Sequence, residues 1–451
     1  MIIQYLVKLL LSFIIFILQN YSTAQITPPL SPLAPLARYW NVPESDVPKL
    51  LAIETNLTIA NGILTPLLSQ YNESFGGSYI NAKENLVIIN TIDFSKETII
   101  RSSSKLKEFE NLLKFIPANH STYQLESSFK NLNELADKTN PVNIMFGISP
   151  IYNGIVVDLT HTDDIANEAF INGTLSFGPI ILMNYLKYDD SLTLNSTFDS
   201  PTTRPRTKRH INIIYQGGEG VAFLNDNLKV DLKCSVAFFA YNNQTQERYL
   251  FTSGRCFPTD AELFYHVPWD HPISSTIFGR LQYTSYTNAD FTMIKKIDNS
   301  IDFTPQIRSS DNLFPSLYIE RFEFDNPPAI GQHICMSGYV INIICGRLTS
   351  TSSYAGVPSI NGTGLAKYNY MLKMELFGAN IHDIDRGGTV FSYFPSTEYQ
   401  LVVVYGHVTY AYTHLSKALY GGNPIAVTPI RRLRSHTHDN ITFIDLRTYQ
   451  P

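Results

Sequence analysis

Apolar side chains follow two different rhythms along this chain, and the change comes near its middle. In KLLAIETNLTIANGILTPLLSQY (residues 49–71) they recur at three-and-four spacing, which predicts one amphipathic helix. ENLVIINTI (84–92) and NGIVVDLTH (153–161) are short runs rich in β-branched residues, which predicts strands. Residues 38–198 therefore read as a mixed α/β unit. From 210 onward the rhythm is that of strands. CSVAFFAY (234–241) and RYLFTSG (248–254) flank NNQTQ, and further β-rich segments recur behind Gly, Asn and Pro turns, as in a barrel or sandwich. One late stretch, THLSKALYGG (413–422), has helix-like spacing and ends on glycines suited to a C-cap. The tail, 428–451, alternates polar and basic residues and is expected to pack poorly.

The segments outside these rhythms set the context. Lys8 precedes an apolar run from Leu9 to Leu18 broken only by Ser12, and small residues follow at Ser22 and Ala24. That is the layout of a signal peptide over 1–24, too short to span a bilayer, so no stable membrane anchor is expected. ITPPLSPLAPLA, within a Pro-rich linker over 25–37, is expected to be extended and mobile. FDSPTTRPRTKRHIN (198–212) reads as an exposed loop, where proteolytic nicking concentrates. Within the processing linker over 199–209, Arg206, Lys208 and Arg209 have the Arg-x-Lys-Arg form that furin-like convertases cut.

Composition adds limits. A chain of 451 residues with 44% apolar side chains can bury two cores. The net charge of −5, near balance from 210 onward, argues against nucleic acid as a partner. Cys234, Cys256, Cys335 and Cys345 all lie in the second half and allow three pairings. N-x-Ser/Thr sequons at Asn56, Asn72, Asn119, Asn172, Asn195, Asn243, Asn361 and Asn440 fit a glycosylated, secreted, extracellular protein. Tyr and Phe are abundant enough for a glycan binder, but most are expected in the core.

Three segments, in order, resemble one family. CSVAFFAY…YLFTSGRCF resembles the strand pair that carries the histidine of chymotrypsin-fold serine proteases, NADFTMIKK the segment of the triad aspartate, and DIDRGGTVFS the nucleophile loop. CMSGYVINIICG resembles the Cys-x-Ser-Gly…Cys-Gly hairpin of the alpha-lytic protease and streptogrisin branch. Residues 71–93 resemble the pro-region of that branch, and THLSKALYGGNPIAV its C-terminal helix and last strand. The resemblance implies an all-β double β-barrel of trypsin/chymotrypsin type over 210–427, preceded by an α/β pro-domain over 38–198. It also implies disulfides Cys234–Cys256 and Cys335–Cys345.

On that resemblance Arg255 stands at the histidine position, Asp290 at the aspartate and Arg386 at the serine. Ile384 replaces the glycine of the oxyanion hole, Thr389 the following proline, and Met336 an arginine that partners the aspartate at 385. A guanidinium stays protonated and is neither general base nor nucleophile. The expectation is a pseudo-protease, with an active secreted endopeptidase using rearranged residues as the alternative. Ser253 shares a strand face with Arg255, and Ser392 lies six residues after Arg386, but neither has a matched histidine. His266 and His271 in HVPWDH, and HTHD at 436–439, read as loop and tail residues, and no metal or cofactor is expected. The expected partners are a peptide or protein in the cleft, the chain's own pro-domain and an active relative of the family. Arg255 is expected to pair with Asp290, with Arg386 turned to Asp385 or into the cleft.

Overall fold

The structure is a computed structural model. It describes residues 32–188 and 213–449, apart from short stretches at 225–229, 259–260, 270–276, 288, 311–313, 359–364, 378–380, 397–399, 413–414, 418–420 and 438–439. The signal peptide and the processing linker, with Arg206, Lys208 and Arg209, lie outside the described residues, as do His210, His271, Asn195 and Asn361.

The N-terminal unit is built from one plan used twice. Each copy has a helix, an antiparallel hairpin, a short helix and a third strand parallel to the second. The first copy comprises the helix Val47–Ser69, strands Phe75–Asn81 and Leu86–Thr91, helix Glu97–Arg101 and strand Leu113–Pro117. The second comprises Thr122–Thr139, Ile144–Ser149, Gly154–Thr160, Asp164–Thr174 and Ile181–Tyr188. Each hairpin turns on an asparagine in the left-handed region, Asn85 and Asn153, a conformation Asn tolerates better than most residues. Ser121 and Gln124 form a capping box that starts the helix Thr122–Thr139.

The C-terminal unit is a double barrel of trypsin type, with one barrel open and one closed. Its first sheet has eight strands, with Phe238–Asn242, Arg248–Thr252, Phe291–Lys296 and Ile277–Ser285 adjacent in that order. Six antiparallel strands close the second barrel. Asn342–Pro358, His333–Gly338, Thr389–Tyr393, Leu401–Ala411, Asn423–Pro429 and Leu365–Leu376 pair in sequence, and the last returns to the first. The barrel wall continues into the N-terminal unit, because Ser353 to Gly356 pair antiparallel with Gly147 to Ile144.

Three expectations need correction. The second half of the Pro-rich stretch is not an extended, mobile connector. Residues Ala34–Trp40 form a helix with a proline in the first turn and left-handed Asn41 behind it. Leu33, Leu36, Ala37 and Trp40 pack into the same core as Phe238, Phe251 and Phe391 of the barrels. In THLSKALYGG the described residues Leu415–Lys417 form a strand on the edge strand Ile181–Tyr188, where pairing overrides helical spacing. The tail packs well. Ile430–His436 is a helix that buries Ile430 and Leu433, and Ile441–Phe443 adds a strand beside Phe238–Asn242.

Charged side chains cross between the two units. Glu54 lies in the buried stripe of the helix Val47–Ser69. It accepts from the backbone N–H of His333 at 2.7 Å and also pairs with His333 Nδ1. Asp158 pairs with Lys373, both almost fully buried. Arg347 joins Glu375 at 3.1 Å and donates to the Tyr152 hydroxyl at 2.9 Å. Among the described residues no helix is long and apolar enough to cross a membrane.

Candidate functional site

Pairing of Thr252 with Thr292 sets the end of one strand beside the start of the next, so Asp290 faces the turn at Ser253–Arg255. Asp290 is wholly buried and both its oxygens are taken. The Ser253 hydroxyl donates to Oδ2 at 2.5 Å, and the backbone N–H of Arg255 donates to Oδ1 at 3.0 Å. Gly254 must be a glycine here, since a Cβ would meet the Ser285 carbonyl at 2.1 Å. Burial pushes the Asp290 carboxyl up to about 6, against the pull of the Ser253 hydrogen bond and the charges of Arg255 and Arg386.

The expected side-chain pair between Arg255 and Asp290 is not formed. Asp290 is occupied by neutral donors from the turn itself, and Arg255 keeps Nε and Nη1 buried with no acceptor among the described residues. Arg386 does not pair with Asp385. It reaches back one turn to Asp383, Nη2 to Oδ1 at 2.7 Å. Asp385 is instead held by three backbone donors, Val340 and Ile341 on Oδ1 at 2.8 and 3.0 Å and His382 on Oδ2 at 3.0 Å. Burial raises its carboxyl to about 6. Those donors stand where a cationic partner would, and Met336 is free to be a core residue of the closed barrel.

The loop before the strand Thr389–Tyr393 is wound into a single 3₁₀ turn, Asp383–Asp385. Its backbone donors point inward. Arg386 N–H donates to the Asp383 carbonyl at 3.3 Å, Gly387 N–H to Val408 at 2.8 Å and Gly388 N–H to Asp385 at 3.1 Å. An oxyanion hole needs such donors free and aimed at one point. Ile384 presents its carbonyl to the Ser235 hydroxyl at 2.8 Å, and its side chain packs against the small cluster of Ala222 and Val267. Gly387, at φ +86°, lets this loop lie on the Ser253 turn, where a Cβ would meet Thr252 Oγ1 at 2.2 Å and Ser253 N at 3.1 Å. Thr389 donates to the Ala237 carbonyl.

One residue at the site was missed. His407, on the strand Leu401–Ala411 and opposite Thr389, is wholly buried. Its Nε2 lies 2.7 Å from the Asp290 carbonyl oxygen and 4.0 Å from Oδ2. The carbonyl fixes the proton on Nε2, and burial pushes the imidazole down to about 4, so the ring is neutral. The sequence signal was a lone histidine in the apolar run VVVYGHVTYA, a pattern that more often marks a core residue.

The other candidates lie elsewhere. His266 is buried on the ring of Tyr215 with Nε2 3.0 Å from Glu219, and His436 is exposed at a helix end. Ser392 is buried in the strand Thr389–Tyr393, 3.5 Å from the Tyr405 hydroxyl. Both disulfides, Cys234–Cys256 and Cys335–Cys345, are formed. Of the sequon asparagines, Asn56, Asn119, Asn172 and Asn243 are exposed, and Asn72 and Asn440 are half-buried.

No protein-family model and no curated protein matches the chain. Solved structures similar to it include Thermobifida fusca protease A, with 16% identity over 51% of this chain and 99% of that one. Cellulomonas bogoriensis chymotrypsin has 12% identity over 52% and 100%, and Nocardiopsis protease 14% over 51% and 99%. The TM-score is 0.36 in each case. The double barrel is carried by the chain's own strand order rather than by these neighbours.

Proposed function

We propose that the chain is a secreted, non-catalytic homologue of the trypsin-type serine endopeptidases, whose double barrel binds a peptide or protein at the cleft between its barrels. The observation that carries this reading is the closed loop at Arg386. Its guanidinium is tied to Asp383, and the N–H groups of Arg386, Gly387 and Gly388 are bonded within the protein. A serine protease needs a hydroxyl, an imidazole to take its proton and free oxyanion donors. The rival reading, an endopeptidase with rearranged residues, would draw on Ser253 and His407. The Ser253 hydroxyl is buried and donates to a carboxylate, while His407 faces a backbone carbonyl. Two disulfides fit an oxidising, extracellular setting. The N-terminal unit serves as the pro-domain.

The test is treatment of the secreted protein with a serine-directed fluorophosphonate, alongside casein hydrolysis. No labelling and no hydrolysis is expected. Covalent labelling of residues 210–451 would overturn the reading.

A further inference from the structure

A cavity of about 550 Å³ lies where the second α/β repeat faces the closed barrel. It falls in the size range of small-molecule sites and at the kind of junction where they concentrate. One wall is the outer face of the helix Thr122–Thr139, whose inner face buries Leu125, Leu132 and Ala136. The other wall is where the strands Asn342–Pro358 and Leu365–Leu376 lose register. The slips fall between Ser350 and Ser353 on one strand and between Met371 and Tyr368 on the other. Thr351 and Ser352 from the first slip, and Asn369 and Tyr370 from the second, line the cavity. Bulges re-aim side chains in this way.

Tyr370 is the residue that asks for an explanation. It sits at φ +58°, a left-handed conformation bulky residues rarely adopt, and its side chain is 63% exposed. Strain kept for an exposed ring has no packing return, and such strain collects at binding sites. Arg432 braces it, with the guanidinium 5.8 Å from the ring centroid and Nη1 donating to the Asn369 carbonyl. The ring is thereby a fixed platform.

Charge decides the ligand class. Glu126, Lys130 and Glu134 on the helix are exposed and have no ion pair or hydrogen bond among the described residues. Asp137 is bound by Lys367 at 2.9 Å. Lys130 is the one cation in the lining beside the carboxylates of Glu126, Glu134 and Asp137, but Lys367 neutralises Asp137 from outside it and Arg432 lies on the ring of Tyr370, so the surrounding charge balances and neither a strongly charged cation nor an anion is favoured. The Glu126 and Glu134 carboxylates and the hydroxyls of Thr351 and Ser352 remain to exchange hydrogen bonds with a polyhydroxyl compound, and Asn133, whose Nδ2 donates to the Phe129 carbonyl at 3.0 Å, keeps an Oδ1 without a partner among the described residues.

We propose that this cavity binds a short neutral oligosaccharide, with a sugar ring lying on Tyr370 and its hydroxyls held by Glu126, Glu134 and Asn133. The site is separate from the Asp290 region and does not depend on whether that region is catalytic. The test is calorimetry on the full-length secreted chain with maltotriose, cellotriose, mannotriose and triacetylchitotriose as probes. At least one is expected to bind at roughly millimolar strength or better, and Tyr370→Gly to weaken it about tenfold or more. Tyr370→Gly relieves the left-handed backbone, so its melting temperature should hold or rise, which separates lost binding from lost folding. Glu134→Gln should weaken binding several-fold. No binding by any of the four sugars at about 10 mM, or binding indifferent to Tyr370→Gly, would overturn the assignment. So would Tyr370-dependent binding of a lysine-rich pentapeptide with no sugar bound.

Discussion

Asp290 and Asp158 are both fully buried carboxylates, and they are satisfied in opposite ways. Asp290 takes a hydroxyl and a backbone N–H from a turn of its own barrel. Asp158 takes the ammonium of Lys373 from the other unit, beside the Asn184 amide at 2.7 Å. The same holds for Glu54, whose partner His333 belongs to the barrel side. Neutral, local donors make a carboxylate a matter of one loop. A buried ion pair reaching across a junction ties two units, because parting them strands a charge on each side. The region resembling a protease site is therefore self-contained, and the charge that couples the molecule lies between its units.

The largest effect that would break this comparison concerns the units themselves. Leu33, Leu36 and Trp40 complete a core shared with the barrels. A chain starting at His210 is expected not to accumulate on secretion, and residues 25–209 supplied in trans should rescue it. After a convertase cut at Arg209 the two fragments should stay together on size exclusion in native buffer, and free barrel eluting alone would count against the junction. Next is Lys373→Met, expected to cost about 3–5 kcal/mol in urea unfolding because it leaves the Asp158 carboxylate buried without its cation, with the Asn184 amide as its remaining side-chain donor among the described residues. Replacing Asp158 by Leu as well should recover much of that, and a single-variant loss near zero would make the pair ornamental.

Asp290→Ala is expected to cost less, about 2–4 kcal/mol, by leaving the buried Ser253 hydroxyl without its acceptor and the Arg255 N–H with only the long bond to Ser253 Oγ at 3.3 Å. The pH dependence sharpens the point. The Asp290 carboxyl sits at about 6 when folded against 3.8 for the free group, so the fold favours its protonated form. Its contribution grows as pH falls from above 6 toward 4 and is lost as pH rises through 6. His407 runs the other way, at about 4 against 6.5, so its contribution is present above 6.5 and lost toward 4. Relative to the unaltered protein, Asp290→Asn should therefore lose stability toward acid between about pH 7.5 and 4.5, and His407→Gln should gain it, as read by the urea midpoint. Identical profiles in all three proteins would remove this account. Smallest of all is Arg386→Ser. Its partner Asp383 is 70% exposed, so stability should change by no more than about 1 kcal/mol, with no proteolysis gained.

Much of this fold could be read in the chain beforehand. The pair Phe238–Asn242 and Arg248–Thr252 follows from strand-like runs around a turn, and the hairpin across Cys335 and Cys345 from the family resemblance. The resemblance supplied the disulfide pairing. The helix Ala34–Trp40 was hidden by its prolines, although Leu33, Leu36, Ala37 and Trp40 keep helical spacing. The tail was hidden by its charges, while Ile430, Leu433 and Phe443 do the packing. At the site, the sequence brings Arg255, Asp290 and Arg386 to one place but does not say which atoms meet. The direction of a guanidinium after a one-turn helix, or of N–H groups in a tight loop, depends on backbone angles that residue types do not specify.

The helix Val47–Ser69 has one further consequence. Val47 and Leu51 at its start belong to the barrel-side core, whereas Leu57, Ala60, Leu64 and Leu68 belong to the core of the first α/β repeat. Glu54, between the two groups, is anchored to His333. A single rigid rod sunk in both cores cannot leave one without disturbing the other. The amides in its middle turns should exchange with solvent only through global opening, at one common rate with the buried strands on either side.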